Sequence, residues 1–379
     1  MRIIFTILVC LFARLLPAQH IVHLRVDSLP PEPKSIDLYL AGSFNGWNPG
    51  DDKYMFQRMG NGQFYIDLNL PEGVYEFKIT RGNWKESECK RDGSDRPNRV
   101  LRVTAEETII LNIEGWKDAF AEKIAPHTAS RHVQVVDTAF YIPQLKRKRR
   151  VLIYLPDDYT TSRKRYPVLY MHDGQNLFDQ ATSYAGEWGV DEYMDTTRAA
   201  QCIVVGIDNG GAKRMNEYSL CDFSLNDSLR KDNKGEGPLY ADFLAKTLKP
   251  YIDRRYRTRK ESRYTYVSGS SMGGLISLYA ILRYPDIFGG AGVFSPSVWI
   301  CKDQLVSLIG KRGSKVKGRV YFYCGKQESS EMVPDMLLVF GKLASVSKAR
   351  ITTVIRDNGA HNEATWRNEF PLFYEWLMQ

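Results

Sequence analysis

Gly269-Ser270-Ser271-Met272-Gly273 decides how this chain of 379 residues is read. The pentad spaces a serine between two glycines, and its flanks give it meaning. Upstream, Tyr264-Thr265-Tyr266-Val267 is β-branched and aromatic, the composition of a strand. Downstream, Leu275, Leu278, Tyr279 and Leu282 recur at helical spacing, and Pro285 ends the run. The sequence therefore predicts strand, tight turn and helix. Such a turn carries the Ser271 hydroxyl at a strand tip, in a strained conformation that neighbouring glycines tolerate. The helix N-terminus behind it favours developing negative charge. The pentad alone recurs by chance in roughly one chain of this size in ten. A glycine-rich turn without chemistry would read the same, so the flanks carry the assignment.

A serine nucleophile at such a turn needs an acid and then a histidine further along the chain. Arg319-Val320-Tyr321-Phe322-Tyr323-Cys324 reads as a buried strand that runs into Gly325-Lys326-Gln327-Glu328, placing Glu328 past its tip. Arg350–Ile355 reads as another strand, followed by Asp357-Asn358-Gly359-Ala360-His361, with His361 on the loop. Glu331, Asp335 and Asp357 stand as alternative acids. Ala364–Met378 reads as a closing helix with Trp366, Phe370 and Phe373 on one side and a kink at Pro371. The oxyanion hole needs two backbone N–H groups. Met272 supplies one; Gly174 or Gln175, on the loop after the strand Pro167–Met171, supplies the other. His172 and Asp173 are adjacent on that strand and face opposite sides. They read as supports for the loop rather than metal ligands, and neither a metal nor an organic cofactor is expected.

Strand candidates at 150–155, 167–171, 202–207, 264–268, 319–324 and 350–355 alternate with helices such as Tyr240–Tyr251 and Met332–Ala344. This alternation predicts a doubly wound, mostly parallel α/β sheet, with ligands bound outside the carboxyl ends of its strands. The polar loop from Asn209 to Gly237 follows a strand tip. Arg214 and Tyr218 in that loop, and Trp188 in Gly186-Glu187-Trp188-Gly189, are candidate substrate-binding residues. The N-terminal third differs: short alternating runs with Gly, Asn, Asp and Pro turns predict a small all-β sandwich of immunoglobulin-like type. The expected organisation is a signal peptide at 1–18, the sandwich at 19–114, a linker at 115–131 and the α/β domain at 132–379.

Arg2, the apolar run Ile3–Phe12 and Leu16-Pro17-Ala18 make a signal peptide that predicts export to the periplasm or beyond the cell. Ten apolar residues are too few to span a bilayer, and no longer apolar run follows, so no membrane span is expected. The formal net charge is +8. Its sharpest cluster, Lys146-Arg147-Lys148-Arg149-Arg150, reads as a charged turn between two strands. It lacks the interleaved basic and aromatic residues of a nucleic-acid surface. Of the six cysteines, Cys10 falls in the signal segment. The remaining odd number fits neither a disulfide framework nor a zinc site, and Cys221 and Cys301 are the candidates for a single bridge.

Residues 132–379 resemble the putative-esterase family of α/β-hydrolases, which includes feruloyl and acetylxylan esterases and enterochelin esterases. The resemblance rests on Val151–Pro156, Tyr166–Gln175, Gly269–Gly274 and Gly359-Ala360-His361-Asn362. It implies Ser271 as nucleophile, His361 as base and Glu328 as acid, at a position where feruloyl esterases commonly carry aspartate. Leu40-Ala41-Gly42-Ser43-Phe44-Asn45-Gly46-Trp47, Leu70–Ile79 and Asn83-Trp84-Lys85-Glu86 resemble starch- and glycogen-binding modules, which implies sugar contacts at Trp47, Lys78 and Trp84. The expected activity is an exported serine esterase releasing feruloyl or acetyl groups from glycans. The alternatives are an enterochelin-type siderophore esterase and a non-catalytic carbohydrate-binding protein. The oligomeric state is not legible.

Overall fold

The computed structural model describes residues 18–30, 37–60, 62–120, 125–184, 186–224 and 233–379. Apart from Ala18, the expected signal segment lies outside the described residues. The chain divides into two compact units, Met1–Lys123 and Ile124–Gln379.

The first unit is built from short strands: β1 (Gln19–Ser28), β2 (Tyr39–Gly42), β3 (Gln57–Arg58), β4 (Phe64–Pro71), β5 (Gly73–Thr80), β6 (Glu88–Cys89), β7 (Arg99–Val103), β8 (Glu107–Asn112) and β9 (Gly115–Trp116). They form sheets in the orders β3-β4-β1-β8, β2-β5-β7 and β6-β9. Period-two patterning builds the core. In β4, Phe64, Ile66, Leu68 and Leu70 are buried while Asp67 and Asn69 are exposed. They pack with Val22, Leu24 and Val26 of β1 and with Phe77 and Ile79 of β5. Trp116 is buried in the same core, and β9 pairs with β6, so the linker expected at 115–131 begins later than the sequence suggested. At its far end, Thr128 bonds Asp179 and Glu187, and Ser130 bonds Asp191 and Asp195, which ties this stretch to the second unit. Both stretches are held by partners distant in sequence, which local periodicity does not reveal.

The second unit is one eight-stranded sheet: β10 (Val133–Ile142), β11 (Arg147–Tyr154), β12 (Val168–His172), β13 (Ile203–Ile207), β14 (Thr265–Ser270), β15 (Gly290–Phe294), β16 (Arg319–Gly325) and β17 (Arg350–Arg356). Its order is β10-β11-β13-β12-β14-β15-β16-β17. The β10-β11 and β11-β13 ladders are antiparallel and the others parallel. The helices are α1 (Val190–Thr196), α2 (Arg214–Tyr218), α3 (Gly237–Phe243), α4 (Lys249–Arg255), α5 (Met272–Arg283), α6 (Lys302–Arg312), α7 (Met332–Val346) and α8 (Glu363–Met378). Val168 and Tyr170 of β12 pack into a core with Leu275 and Leu278 of α5 and Val339 of α7. Leu169 and Met171 point the other way, into a core with Met194 of α1 and Phe370 and Phe373 of α8. The sheet is thus covered on both faces, which a parallel sheet requires.

Two expectations change. Lys146 takes a turn conformation at φ 54°, but Arg147–Arg150 belong to β11. They do not form a solvated turn: Arg147 and Arg149 bind the fully buried Glu217, Arg147 also binds Glu236, and Arg150 binds Asp208. Arg147–Arg149 escaped recognition as part of the strand because the Arg147 and Arg149 charges are neutralised by residues about seventy positions or more downstream. Strand β15, Gly290-Ala291-Gly292-Val293-Phe294, was not anticipated either. A Cβ on Gly292 would lie 2.4 Å from Ser268 Oγ and 2.6 Å from the Phe373 ring, so packing forbids the bulky residues that announce a strand. Cys221 and Cys301 form a disulfide with Cα atoms 6.0 Å apart.

Candidate active site

Strand β14 delivers Ser271 to the carboxyl edge of the sheet, and α5 begins at the next residue. Ser271 has φ 58° and ψ −122°, a conformation that a side chain adopts only when its surroundings enforce it. The enforcement is visible. Ser271 N–H donates to Phe294 O at 2.9 Å, and its carbonyl accepts from Ser297 N–H at 3.1 Å. A Cβ on Gly274 would lie 2.6 Å from Phe294 O, so only glycine lets α5 start this close to β15. The Ser271 hydroxyl lies 3.1 Å from Ser297 Oγ.

Glu328 and His361 arrive from the ends of β16 and β17. His361 Nδ1 is 2.7 Å from Glu328 Oε2. The other carboxylate oxygen accepts from Ser295 Oγ and from Gly325 N–H, both at 2.7 Å. The Glu328 side chain is fully buried, and its oxygens are thus fixed from three directions. Trp366 Nε1 donates to Ser295 Oγ at 3.0 Å, and its ring meets the His361 ring edge-on at 5.0 Å. Two of the other candidate acids are engaged elsewhere: Asp335 pairs with Lys302 and Asp357 with Lys326. Among the described residues, His361 makes no hydrogen bond to Ser271, whose hydroxyl is turned to Ser297.

The amides of Met272 and Gln175 make no hydrogen bond among the described residues, which leaves both free to donate. The turn that holds Gln175 starts at Asp173, at φ 56°. A Cβ on Gly174 would lie 2.8 Å from the Gly206 and Ile207 backbone, so glycine is required for this approach. Asp173 accepts from Arg214 Nε at 2.6 Å, Arg214 Nη2 at 2.8 Å and Asn209 Nδ2 at 2.7 Å. Burial pushes its pKa up, but Arg214 and these bonds overcome burial and hold the carboxylate ionised. His172 is buried behind the turn, 3.1 Å from the Tyr240 hydroxyl. Burial pushes its pKa down to about 4, so it stays a neutral imidazole.

Three expected substrate contacts need correction. Trp188 is a core residue, stacked on Trp366 at 5.9 Å and edge-on to Phe294 at 5.2 Å. Tyr218 is wholly buried between His172 and Tyr240. Neither leaves a face for a ligand. Arg214 spends its guanidinium on Asp173 and on the Tyr218 ring, and so supports the turn. Loop aromatics and arginines look alike in sequence whether they face solvent or core. Sequence reasoning also missed Ser295, Ser297 and Trp299. The Ser-Pro-Ser-Val-Trp run was their only signal. Trp299 is 53% exposed on the turn that opens with Ser297.

In the first unit, the Trp47 and Trp84 rings lie 6.3 Å apart at 35°, both partly exposed. The Lys78 ammonium donates to the Arg96 carbonyl, and burial lowers its pKa.

The Putative esterase family matches residues 142–373. The chain belongs to this family. The Pullulanase X25 domain matches residues 39–114, within the first unit. This esterase-family chain is 29% identical over 151 residues to the uncharacterized protein YbbA of Bacillus subtilis, covering 40% of this chain and 58% of YbbA. It is 27% identical over 206 residues to the ferri-bacillibactin esterase BesA of the same organism, covering 49% of this chain and 69% of BesA. It is 23% identical over 245 residues to an endo-1,4-beta-xylanase/feruloyl esterase of Xylanibacter ruminicola, covering 62% of this chain and 30% of that protein. Among solved structures, the enterobactin esterase FES of Shigella flexneri matches with a TM-score of 0.52 at 17% identity, covering 90% of this chain and 87% of that one. The expected α/β-hydrolase architecture is thereby shown, together with an all-β unit before it.

Proposed function

We propose that the protein is an exported serine esterase that removes feruloyl or acetyl groups from glycans with Ser271, His361 and Glu328. The carrying observation is the 2.7 Å bond between His361 Nδ1 and a fully buried carboxylate, taken together with a serine held at positive φ where β14 meets α5. In this reading the Ser271 hydroxyl leaves Ser297 and turns to His361 when substrate enters, since such bonds tighten in the complex. His361 takes the serine proton, and the oxygen attacks the ester carbonyl. The N–H groups of Met272 and Gln175 hold the oxyanion. Glu328 orients the imidazole and stabilises its cation. His361 then protonates the departing alkoxide, and a water molecule releases the acyl group by the same steps. No step calls for a metal or cofactor.

The glycan substrate draws support from the X25 match and from the relative named as a feruloyl esterase. Export draws support from the apolar N-terminal run and from the Cys221–Cys301 bridge, which suits an oxidising compartment. The siderophore reading draws support from BesA and the enterobactin esterase. Turnover of methyl ferulate, acetylated xylan and ferric enterobactin by the wild type separates the two. Ser271→Ala should lower kcat on every substrate accepted by about a thousandfold or more. A mutant as active as the wild type would end the assignment of Ser271, whereas a wild type that turns over none of these esters would favour a purely sugar-binding protein.

A further inference from the structure

Glu363 stands two residues beyond His361 and opens α8. Its Oε1 accepts from Asn176 Nδ2 at 3.1 Å. Asn176 is the buried centre of the oxyanion loop. Its N–H donates to the Asp173 carbonyl at 2.9 Å, its Oδ1 accepts from Tyr184 N–H at 3.0 Å, and its own carbonyl accepts from Trp188 N–H at 2.8 Å. The Asn176 side chain thus organises the turn that carries Gln175 and the segment that returns toward Trp188. Its one side-chain link to the histidine loop is the bond to Glu363.

From this arrangement we infer that Glu363 is a positioning residue that fastens the oxyanion loop to the histidine loop, keeping the Gln175 amide and the His361 ring in register. The inference rests on the serine-esterase reading above and adds a residue to it. An ionised carboxylate makes the stronger bond to the Asn176 amide, and a charged His361 favours that ionised form. Burial pushes the Glu363 pKa up to about 7, with Asp173 adding to the rise and His361 and Arg214 opposing it. The acid limb of the pH–rate profile therefore contains Glu363: activity grows as Glu363 loses its proton.

The test compares wild type, Glu363→Gln, Glu363→Ala, Asn176→Ala and the double alanine variant, with kcat and KM measured on methyl ferulate or p-nitrophenyl acetate from pH 5 to 9. Glu363→Gln keeps the shape and loses the titration. It should lower kcat several-fold with KM nearly unchanged, and its acid limb should become shallower than the wild type's by one proton. Glu363→Ala and Asn176→Ala should each lower kcat about tenfold or more, and the double variant should fall little further, because the two act through one bond. An unchanged limb in Glu363→Gln, or fully additive alanine losses, overturns the inference. Circular dichroism and melting of each variant separate misfolding from misplacement, and a folded Glu363→Gln is by itself enough to decide. Failure of the esterase reading looks different: there the wild type itself turns over no ester, or does so without Ser271.

Discussion

Glu217 is a charge held wholly away from water, with Arg147 at 2.8 Å and Arg149 as its second partner. Removing one member of a buried ion pair strands the other. Glu217→Ala should therefore destabilise the fold by about 3–5 kcal/mol, read as a lower midpoint in urea with the slope unchanged. A loss under about 1 kcal/mol would show that the two arginines simply re-hydrate. Asp191 presents the opposite case. It is fully buried, one oxygen accepts from Ser130 N–H at 2.7 Å, and the other has no partner among the described residues. Glu187 and Glu192 lie close by, with Arg367 at 3.8 and 4.0 Å from them. Burial raises the Asp191 pKa well above the usual carboxylate range, and Glu192 adds to the rise. The folded state then binds a proton that the unfolded chain has released, so stability falls as pH rises toward and through the raised value. Between pH 6 and 9 the melting temperature of the wild type should drop more than that of Asp191→Asn; parallel curves would refute the buried proton. At this scale the sequence was legible where chemistry has a local signature. Ser271 was picked out by its glycines, and Glu328 and His361 by their places after strands; the structure brings the last two to 2.7 Å of each other. Trp188 and Tyr218 misled because burial is a property of the fold and has no local mark.

The element that most shapes the site is the turn from Ser295 to Cys301. Ser295 holds Glu328, Ser297 meets the Ser271 hydroxyl, and Cys301 is bridged to Cys221 on the loop after α2. Val298 and Ile300 are buried, so Trp299 between them is turned outward. An exposed indole on a pinned turn is a ready platform for an aromatic ring. Trp299→Ala should lower kcat/KM for methyl ferulate about tenfold while leaving p-nitrophenyl acetate within about twofold. Equal losses on both esters would mean that the turn, and not a ring contact, was damaged. The bridge closes a loop of 80 residues in sequence separation. Replacing both cysteines by serine should cost about 2–4 kcal/mol, and melting with and without reductant measures it. Of this turn only Cys301, as a bridge candidate, was anticipated; the rest escaped for a reason that also hid β15, the strand feeding it. Small residues packed under helices carry neither periodicity nor bulk, and glycine at 292 records an absence of space that only the neighbours define.

At the scale of the molecule, the order of elements was legible. A strand-rich third followed by alternating strands and helices could only become an all-β unit and a doubly wound sheet, and both are present. The division between them was less legible, since Trp116 belongs to the first core and Thr128 bonds to the second unit. Two units with separate cores suggest two separable tasks. Trp47 and Trp84 present partly exposed rings 6.3 Å apart, the kind of apolar surface that suits the C–H faces of a sugar. Replacing both with alanine in the full chain should abolish retention on insoluble starch or xylan, whichever the wild type binds, and leave kcat/KM on soluble esters within about twofold. The melting transition should be little changed, because neither ring belongs to the buried core of its unit. Loss of soluble-ester turnover together with retention would tie the first unit to catalysis rather than to anchoring. Retention unaffected by the double substitution would remove the tryptophan pair from the sugar contacts, and the matching of this unit to a pullulanase domain would then speak for ancestry alone.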